Sequence, residues 1–296
     1  MWFNLAMKFP FQSIALIGKH KTPEVAEPLL RLAAFLSSKK LSVVVDSLTA
    51  EHLKDNPYPS MSLTEIGRTA DLAIVLGGDG TMLNIARTLS QHGIPLIGVN
   101  QGRLGFLTDL TLENMLECVD AMLDGKFVEE QRLLLAAKVM RGDVEVYQGW
   151  AFNEVVVHRN YTSNMIECEV RVDGEYVYNQ RADGLIVTTP TGSTAYSMSA
   201  GGPILHPSLE VFALVPICPH TLSNRPIVIR SSSIIEILTH RTSDIHIRFD
   251  SHTDYDLQEY DKIIISRHPA PVCLLHPVGH SYYHTLREKL LWNQTL

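Results

Sequence analysis

The chain has 296 residues, 45% hydrophobic and 19% charged, which is the composition of an ordinary globular protein long enough for two domains. Its net charge of −7 argues against a nonspecific grip on nucleic acid, so no nucleic-acid partner is expected, although backbone N–H groups can still bind a phosphate locally. Its four cysteines are scattered without a C-x-x-C pair and read as reduced thiols of a cytoplasmic protein, and no apolar run reaches the roughly 20 residues that would imply a membrane partner.

At the N-terminus Lys8 follows the apolar stretch and Pro10 interrupts it, so no signal peptide is expected. A buried strand is predicted at 13–18, then a helix opened by Thr22, Pro23 and Glu24 with Leu29, Leu32, Ala33 and Leu36 at helical spacing. A second strand follows at 41–45, and Ser62 with Glu65 forms a capping box. The apolar strand 72–76 runs directly into Gly77-Gly78-Asp79-Gly80-Thr81 and a helix with Met82, Ile85, Ala86 and Leu89 on one face, stopped at Gly93. A strand at 95–99 and a helix at 112–123, closed by Gly125, complete a β-α-β rhythm. That rhythm predicts a parallel sheet with ligands at the carboxyl ends of its strands.

From 133 to 275 the signals change to strands separated by turns: 144–157, 167–172 with the hairpin turn Asp173-Gly174, 185–189, 227–229, 245–249 and 263–266. The last segment, 282–292, reads as a helix. The expected domains are 1–125, carrying the glycine turn; 126–280, β-rich, binding a ligand and oligomerising; and 281–296, a helix returning to the first.

Two motifs carry chemistry. Gly77, Gly78, Gly80 and Thr81 sit where a strand becomes a helix, so backbone N–H groups can approach a phosphate without Cβ interference. A phosphate cradle gains nothing from the added negative charge of Asp79. That carboxylate is therefore a proton acceptor for an attacking hydroxyl, or positions a phosphate-bridging cation, unless the run is only a tight turn. Alone it means a phosphotransferase of some kind, because phosphofructokinases and lipid kinases carry similar runs. The second motif runs from Asp183-Gly184 through Thr189-Pro190-Thr191-Gly192-Ser193 to Thr194, Ala195, Tyr196, Ser197, Met198 and Ser199, then Gly201-Gly202-Pro203. It concentrates N–H and O–H donors beside an aromatic face that suits a purine, against the plainer reading of a Ser/Thr-rich turn. His276, His280 and His284 fall at helical spacing, but Pro277 and Gly279 oppose a regular helix and no metal site is expected there.

Together these motifs, with Asn153-Glu154, the segment from Val99-Asn100-Gln101-Gly102 to Phe106-Leu107 and the tail from Leu275-His276-Pro277 to Trp292, resemble the bacterial ATP-dependent NAD kinase family over nearly the whole chain. The resemblance implies an N-terminal Rossmann-like parallel α/β domain, then an all-β, β-sandwich-like domain, with the C-terminal tail packing back on the first. It implies an enzyme that uses ATP, with Mg²⁺ as its divalent metal ion, to phosphorylate NAD, assembled as a homodimer or homotetramer. Carried over to this sequence, Asp79 is the general base, and Asp79, Gly80 and Phe106 lie against NAD. Asn153 and Glu154 bond its adenosine, and Arg181 and Asp183 lie toward the nicotinamide half, Arg181 reaching a neighbouring subunit's site. Residues Thr194, Ala195, Tyr196, Ser197, Met198 and Ser199 hold the adenine side, and His252 takes the place of a usual glutamine contact. Asn84 stands where many members carry a basic residue.

Overall fold

The computed structural model describes residues 11–20, 22–54, 56–102, 105–159, 165–240, 244–250 and 253–292. The chain forms two compact units, Met1–Gln131 with Val272–Leu296, and Arg132–Pro271.

The first unit begins with β1 (Ser13–Gly18), α1 (Ala26–Ser38), β2 (Ser42–Asp46) and α2 (Ser47–Ala50). It continues with β3 (Ser60–Met61), α3 (Leu63–Thr69), β4 (Leu72–Leu76) and α4 (Asp79–Leu89). Then come β5 (Leu96–Asn100), β6 (Leu110–Thr111), α5 (Met115–Leu123) and β7 (Phe127–Arg132). Strands β1, β4 and β5 pair in parallel, and β4 and β5 are buried at every position, the pattern of a sheet covered on both faces. Leu29, Leu32, Ala33 and Leu36 of α1 are fully buried, each leucine worth about 1.5–3 kcal/mol of apolar burial. The helix starts later than the sequence suggests: 23–25 form a 3₁₀ turn in which Thr22 makes no side-chain cap, and Pro28 falls in the first turn of α1, where no N–H is needed. The Ser62–Glu65 capping box is present, with both reciprocal bonds.

The second unit contains β8 (Leu135–Arg141), β9 (Val144–Ala151), β10 (Glu154–Arg159), β11 (Ile166–Val172), β12 (Glu175–Ala182) and β13 (Gly184–Thr188). After the short α6 (Tyr196–Ser199) come β14 (Val211–Ile217), β15 (Ile227–Arg230), β16 (Ile235–His240), β17 (Ile245–Phe249), β18 (Thr253–Leu257) and β19 (Lys262–Arg267). They form two six-stranded sheets, ordered β15-β14-β13-β10-β17-β18 and β12-β11-β16-β19-β8-β9. Inward side chains of both sheets, among them Val155, Val187, Phe249, Val139, Ile237 and Ile263, make one core, as the β-sandwich reading implies. Asp173 (φ 53°) and Gly174 (φ 81°) turn the β11–β12 hairpin in the left-handed region that this turn demands.

The chain then re-enters the first unit as β20 (Val272–Pro277), which pairs in parallel with β5 and stands between β5 and β7, and ends in α7 (Tyr282–Leu290). The divisions therefore fall at 131/132 and 271/272, where the sequence suggested 125/126 and 280/281. The return is made by a buried strand as well as by the helix.

Candidate active site

Buried β4 emerges at the carboxyl edge of the parallel sheet as the glycine run, and Asp79 is the first residue of α4. Gly78 caps the helix in an extended conformation, its carbonyl accepting the N–H of Thr81 at 3.0 Å and of Met82 at 3.1 Å. Gly77 is crowded, since a Cβ there would lie 2.7 Å from the Thr81 side chain. At Gly78 and Gly80 a Cβ would meet no atom within 4 Å, so their backbone is open to an anion at the helix start.

The Asp79 carboxylate accepts the backbone N–H of Phe106 at 2.9 Å and of Leu107 at 3.0 Å, and the Thr108 hydroxyl stands 3.4 Å away. Thr108 accepts in turn from the Asn100 side-chain amide at 2.8 Å, while Asn100 accepts the N–H of Gly102 at 2.9 Å. A Cβ on Gly105 would lie 2.2 Å from the carboxylate, so the loop closes on Asp79 only because that residue is glycine. The Phe106 ring lies 6.4 Å from Tyr282 of α7. Sequence reasoning placed Phe106 but gave no role to Asn100, Leu107 or Thr108, since no spacing rule announces a backbone donor. Asn84 is exposed on α4, and Arg87, one turn on, places a guanidinium nitrogen 3.3 Å from its side-chain oxygen.

In the second unit Asn153 and Glu154 sit where β9 passes to β10, and the residue that shapes this corner is Asp250. Asp250 adopts φ 49°, and its carboxylate accepts the N–H groups of Phe152 and Asn153, both at 2.7 Å, and of Glu154 at 3.1 Å. From the other chain direction, Thr189 donates its N–H to the Asn153 carbonyl at 2.9 Å and its hydroxyl to the Phe152 carbonyl at 2.7 Å. Gly192 comes so close that a Cβ would lie 2.3 Å from the Asn153 carbonyl oxygen, which ties the Thr-Pro-Thr-Gly turn to the Asn-Glu pair. Asp250 and Thr189 were missed as shapers of this corner because no spacing rule links them to Phe152, which lies 98 residues from the first and 37 from the second.

Glu154 is 3% exposed, and its Oε2 has no hydrogen-bond partner among the described residues. Burial, helped by the negative Asp250, pushes its carboxyl up to about 8. The folded chain therefore holds a proton that the unfolded chain releases above about 4.5, and stability is lost as pH rises from there through about 8. Glu154→Gln, which stays neutral, is expected to melt several degrees above the wild type at pH 9 and close to it at pH 5. Parallel melting curves at the two pH values would rule this out.

Within the hydroxyl-rich loop, Ser193 is fully buried and donates to the Pro190 carbonyl at 2.6 Å while accepting the Leu205 N–H at 2.9 Å. The buried Arg132 reaches the Thr191 hydroxyl at 3.2 Å. Thr194, at the end of a 3₁₀ turn, stands 3.4 Å from the Thr191 carbonyl, and Ala195 leads into the short α6, which Tyr196, Ser197, Met198 and Ser199 form. Ser197 is buried, and Tyr196 leaves 45% of its surface exposed, a face available for stacking. The Tyr196 phenol is pushed up, chiefly by burial. Asp183 pairs with Arg159 at 2.8 Å, a partner that the sequence did not suggest, while Arg181 is exposed on β12. His252 lies outside the described residues. The three tail histidines do not share a helix face: His276 is on β20, His280 is in the turn after it and His284 is in α7.

Residues 14–127 match the family model for the ATP-NAD kinase N-terminal domain and residues 152–276 that for the ATP-NAD kinase C-terminal domain. A protein of Nitrosomonas europaea named NAD kinase is 59% identical over 97% of both chains, and one of Thiobacillus denitrificans with the same name is 49% identical over 98% of this chain and 100% of its own. Among solved structures, yeast NADH kinase complexed with NADH is similar at a TM-score of 0.89 and 26% identity, covering 97% of this chain and 90% of that one. An NAD kinase of Archaeoglobus fulgidus in complex with ATP is similar at 0.71 and 28% identity, over 94% and 98%. With both domain models matched in order and relatives this similar along nearly their full length, the chain belongs to the ATP-NAD kinase family.

Proposed function

We propose that this chain transfers the γ-phosphoryl group of ATP to the 2′-hydroxyl of the adenosine ribose of NAD, giving NADP and ADP. Family membership supports the reaction class. The feature that carries the mechanism is the Asp79 carboxylate, fixed by two backbone N–H groups at a helix start whose glycine backbone is uncovered. Asp79 takes the proton of the 2′-hydroxyl as that oxygen attacks the γ-phosphorus, the bond to the bridging oxygen breaks and ADP leaves. The N–H groups of Phe106 and Leu107 hold the plane of the carboxylate, and Oδ2, which takes the Phe106 N–H alone, keeps a lone pair for an incoming hydroxyl. Gly77, Gly78, Gly80 and Thr81 cradle phosphate, and a Mg²⁺ ion arriving with ATP would supply charge neutralisation there.

The residues assigned to NAD in this reading are Gly80, Phe106, Asn153, Glu154, Arg181, Asp183, residues 194–199 and His252. In this reading the rigid corner made by Asp250 and Thr189 presents Asn153 and Glu154 to the adenosine hydroxyls. A homodimer or homotetramer in which Arg181 serves a neighbouring copy completes the assembly, and the cytoplasm, where the four free thiols stay reduced, is its location. Among the described residues no helix is long and apolar enough to cross a membrane.

The decisive test is incubation of the purified protein with NAD, ATP and Mg²⁺. NADP and ADP are expected in equal amounts. ADP formed only with a lipid or sugar acceptor, or tight NADP binding without ATP consumption by folded protein, would overturn the proposal.

A further inference from the structure

The segment that holds Asp79 ends in a buried charge cluster that the reaction as written does not use. Asp109 follows Thr108 directly, and its side chain is 8% exposed. One of its oxygens takes a hydrogen bond from His276 Nδ1, and the other lies 3.4 Å from His280 Nδ1. The second nitrogen of His276, Nε2, lies 2.9 Å from a Glu130 carboxylate oxygen on β7, and the two imidazole rings stack with centroids 4.1 Å apart. His276 itself is 2% exposed.

A neutral imidazole has one N–H, whereas a carboxylate can only accept, so two carboxylates on the two nitrogens of one ring require that both nitrogens donate. His276 is therefore a cation held between Asp109 and Glu130. The balance of causes agrees: burial alone would lower its pKa, but the two carboxylates outweigh that and hold it at about 9. Removing the cation takes away the donor of the buried Asp109 carboxylate and of the half-buried Glu130 together, which is costlier than losing an exposed ion pair.

The consequence reaches Asp79 through the backbone. Leu107 is 4% exposed, Thr108 is fully buried, and the N–H groups that grip Asp79 belong to the two residues just before Thr108 and Asp109. The C-terminal end of this short segment is fixed twice, by Asn100 on the Thr108 hydroxyl and by His276 on Asp109. We propose that His276 is a positioning residue for phosphoryl transfer: as a doubly donating imidazolium it fixes Asp109, and through it the backbone cradle that aims the Asp79 carboxylate at the acceptor hydroxyl. The inference rests on the reading of Asp79 as general base. It gives the last strand of the chain a part in the chemistry.

The two amide replacements of histidine separate this role from a purely structural one, because asparagine places its NH₂ near Nδ1 and glutamine near Nε2. His276→Asn keeps a donor for Asp109, His276→Gln keeps one for Glu130, and both lose the same buried charge. His276→Gln is expected to lower kcat by about 10–100-fold with the KM for NAD within about twofold, the scale of a small misplacement at a reacting group, and His276→Asn to retain most of the turnover. Amide hydrogen exchange at Phe106 and Leu107 rises in the Gln variant, and the Gln substitution adds nothing to kcat loss in an Asp79→Asn background. Equal losses in both variants, unchanged kcat in folded His276→Gln, or a further tenfold loss on top of Asp79→Asn would each overturn the proposal. If His276→Gln does not fold, Asp109→Ala, which removes the acceptor of the His276 Nδ1–H, replaces it with the same expectations. Full turnover in Asp79→Asn would remove the base reading instead, and the amide exchange of Phe106 and Leu107 would still report whether His276 holds the cradle.

Discussion

Asp79→Asn is expected to reduce kcat for NADP formation by about two to four orders of magnitude, the usual scale for losing a general base, with NAD affinity retained. The substitution keeps the size of the side chain but turns one acceptor into an NH₂ group. Whichever way the amide is turned, that group faces the N–H of Phe106 or of Leu107, two donors that the carboxylate satisfies at 2.9 and 3.0 Å. One backbone N–H is left unpaired, at a cost of about 1–3 kcal/mol. Thermal unfolding and NAD binding by calorimetry must therefore accompany the kinetics. A folded variant that binds NAD and turns over at the wild-type rate would exclude Asp79 as the base.

Asp250→Ala is expected to produce the largest loss of stability outside the hydrophobic cores. It removes the acceptor of three N–H groups, those of Phe152, Asn153 and Glu154, and puts alanine at a backbone φ of 49° that aspartate tolerates better. With each orphaned N–H costing about 1–3 kcal/mol and partial access to water offsetting some of it, the second unit should lose about 3–5 kcal/mol and melt roughly 10 °C lower. The functional mark is a rise of about tenfold in the KM for NAD at nearly constant kcat, because the corner carries Asn153 and Glu154 rather than Asp79. Asp250→Asn, which preserves one oxygen acceptor, should fall between. A melting temperature within 2 °C of wild type, or a fall in kcat with KM unchanged, would count against this account of the corner.

What could be read from the residues follows from how local each signal is. The glycine turn, the apolar strand before it and the spacing of Met82, Ile85, Ala86 and Leu89 lie within about twenty residues, and β4 and α4 appear where that spacing predicts. The hairpin at Asp173-Gly174 and the capping box at Ser62 are equally short-range. The run 144–157 read as one strand signal is in fact two strands, broken where Asp250 turns Phe152 and Asn153 out of the ladder, and that cause lies 98 residues away from Phe152. The Arg159–Asp183 pair, the Asp250 corner and the His276–Asp109 link share this property. Each joins groups whose sequence separation carries no periodicity, so only the folded backbone brings them into register.

The position of β20 bears on the order in which the molecule can be made. The second unit is one continuous stretch, whereas the sheet of the first is interrupted between β5 and β7 until the strand that begins at Val272 has left the ribosome. Until then β7 and the Leu96 end of β5 lack the strand that joins them, and Asp109 and Glu130 have no histidine between them. The domain whose N-terminal residues are synthesised first is thus completed last. A nascent or truncated chain ending near 271 would hold a finished sandwich beside a half-built, aggregation-prone sheet.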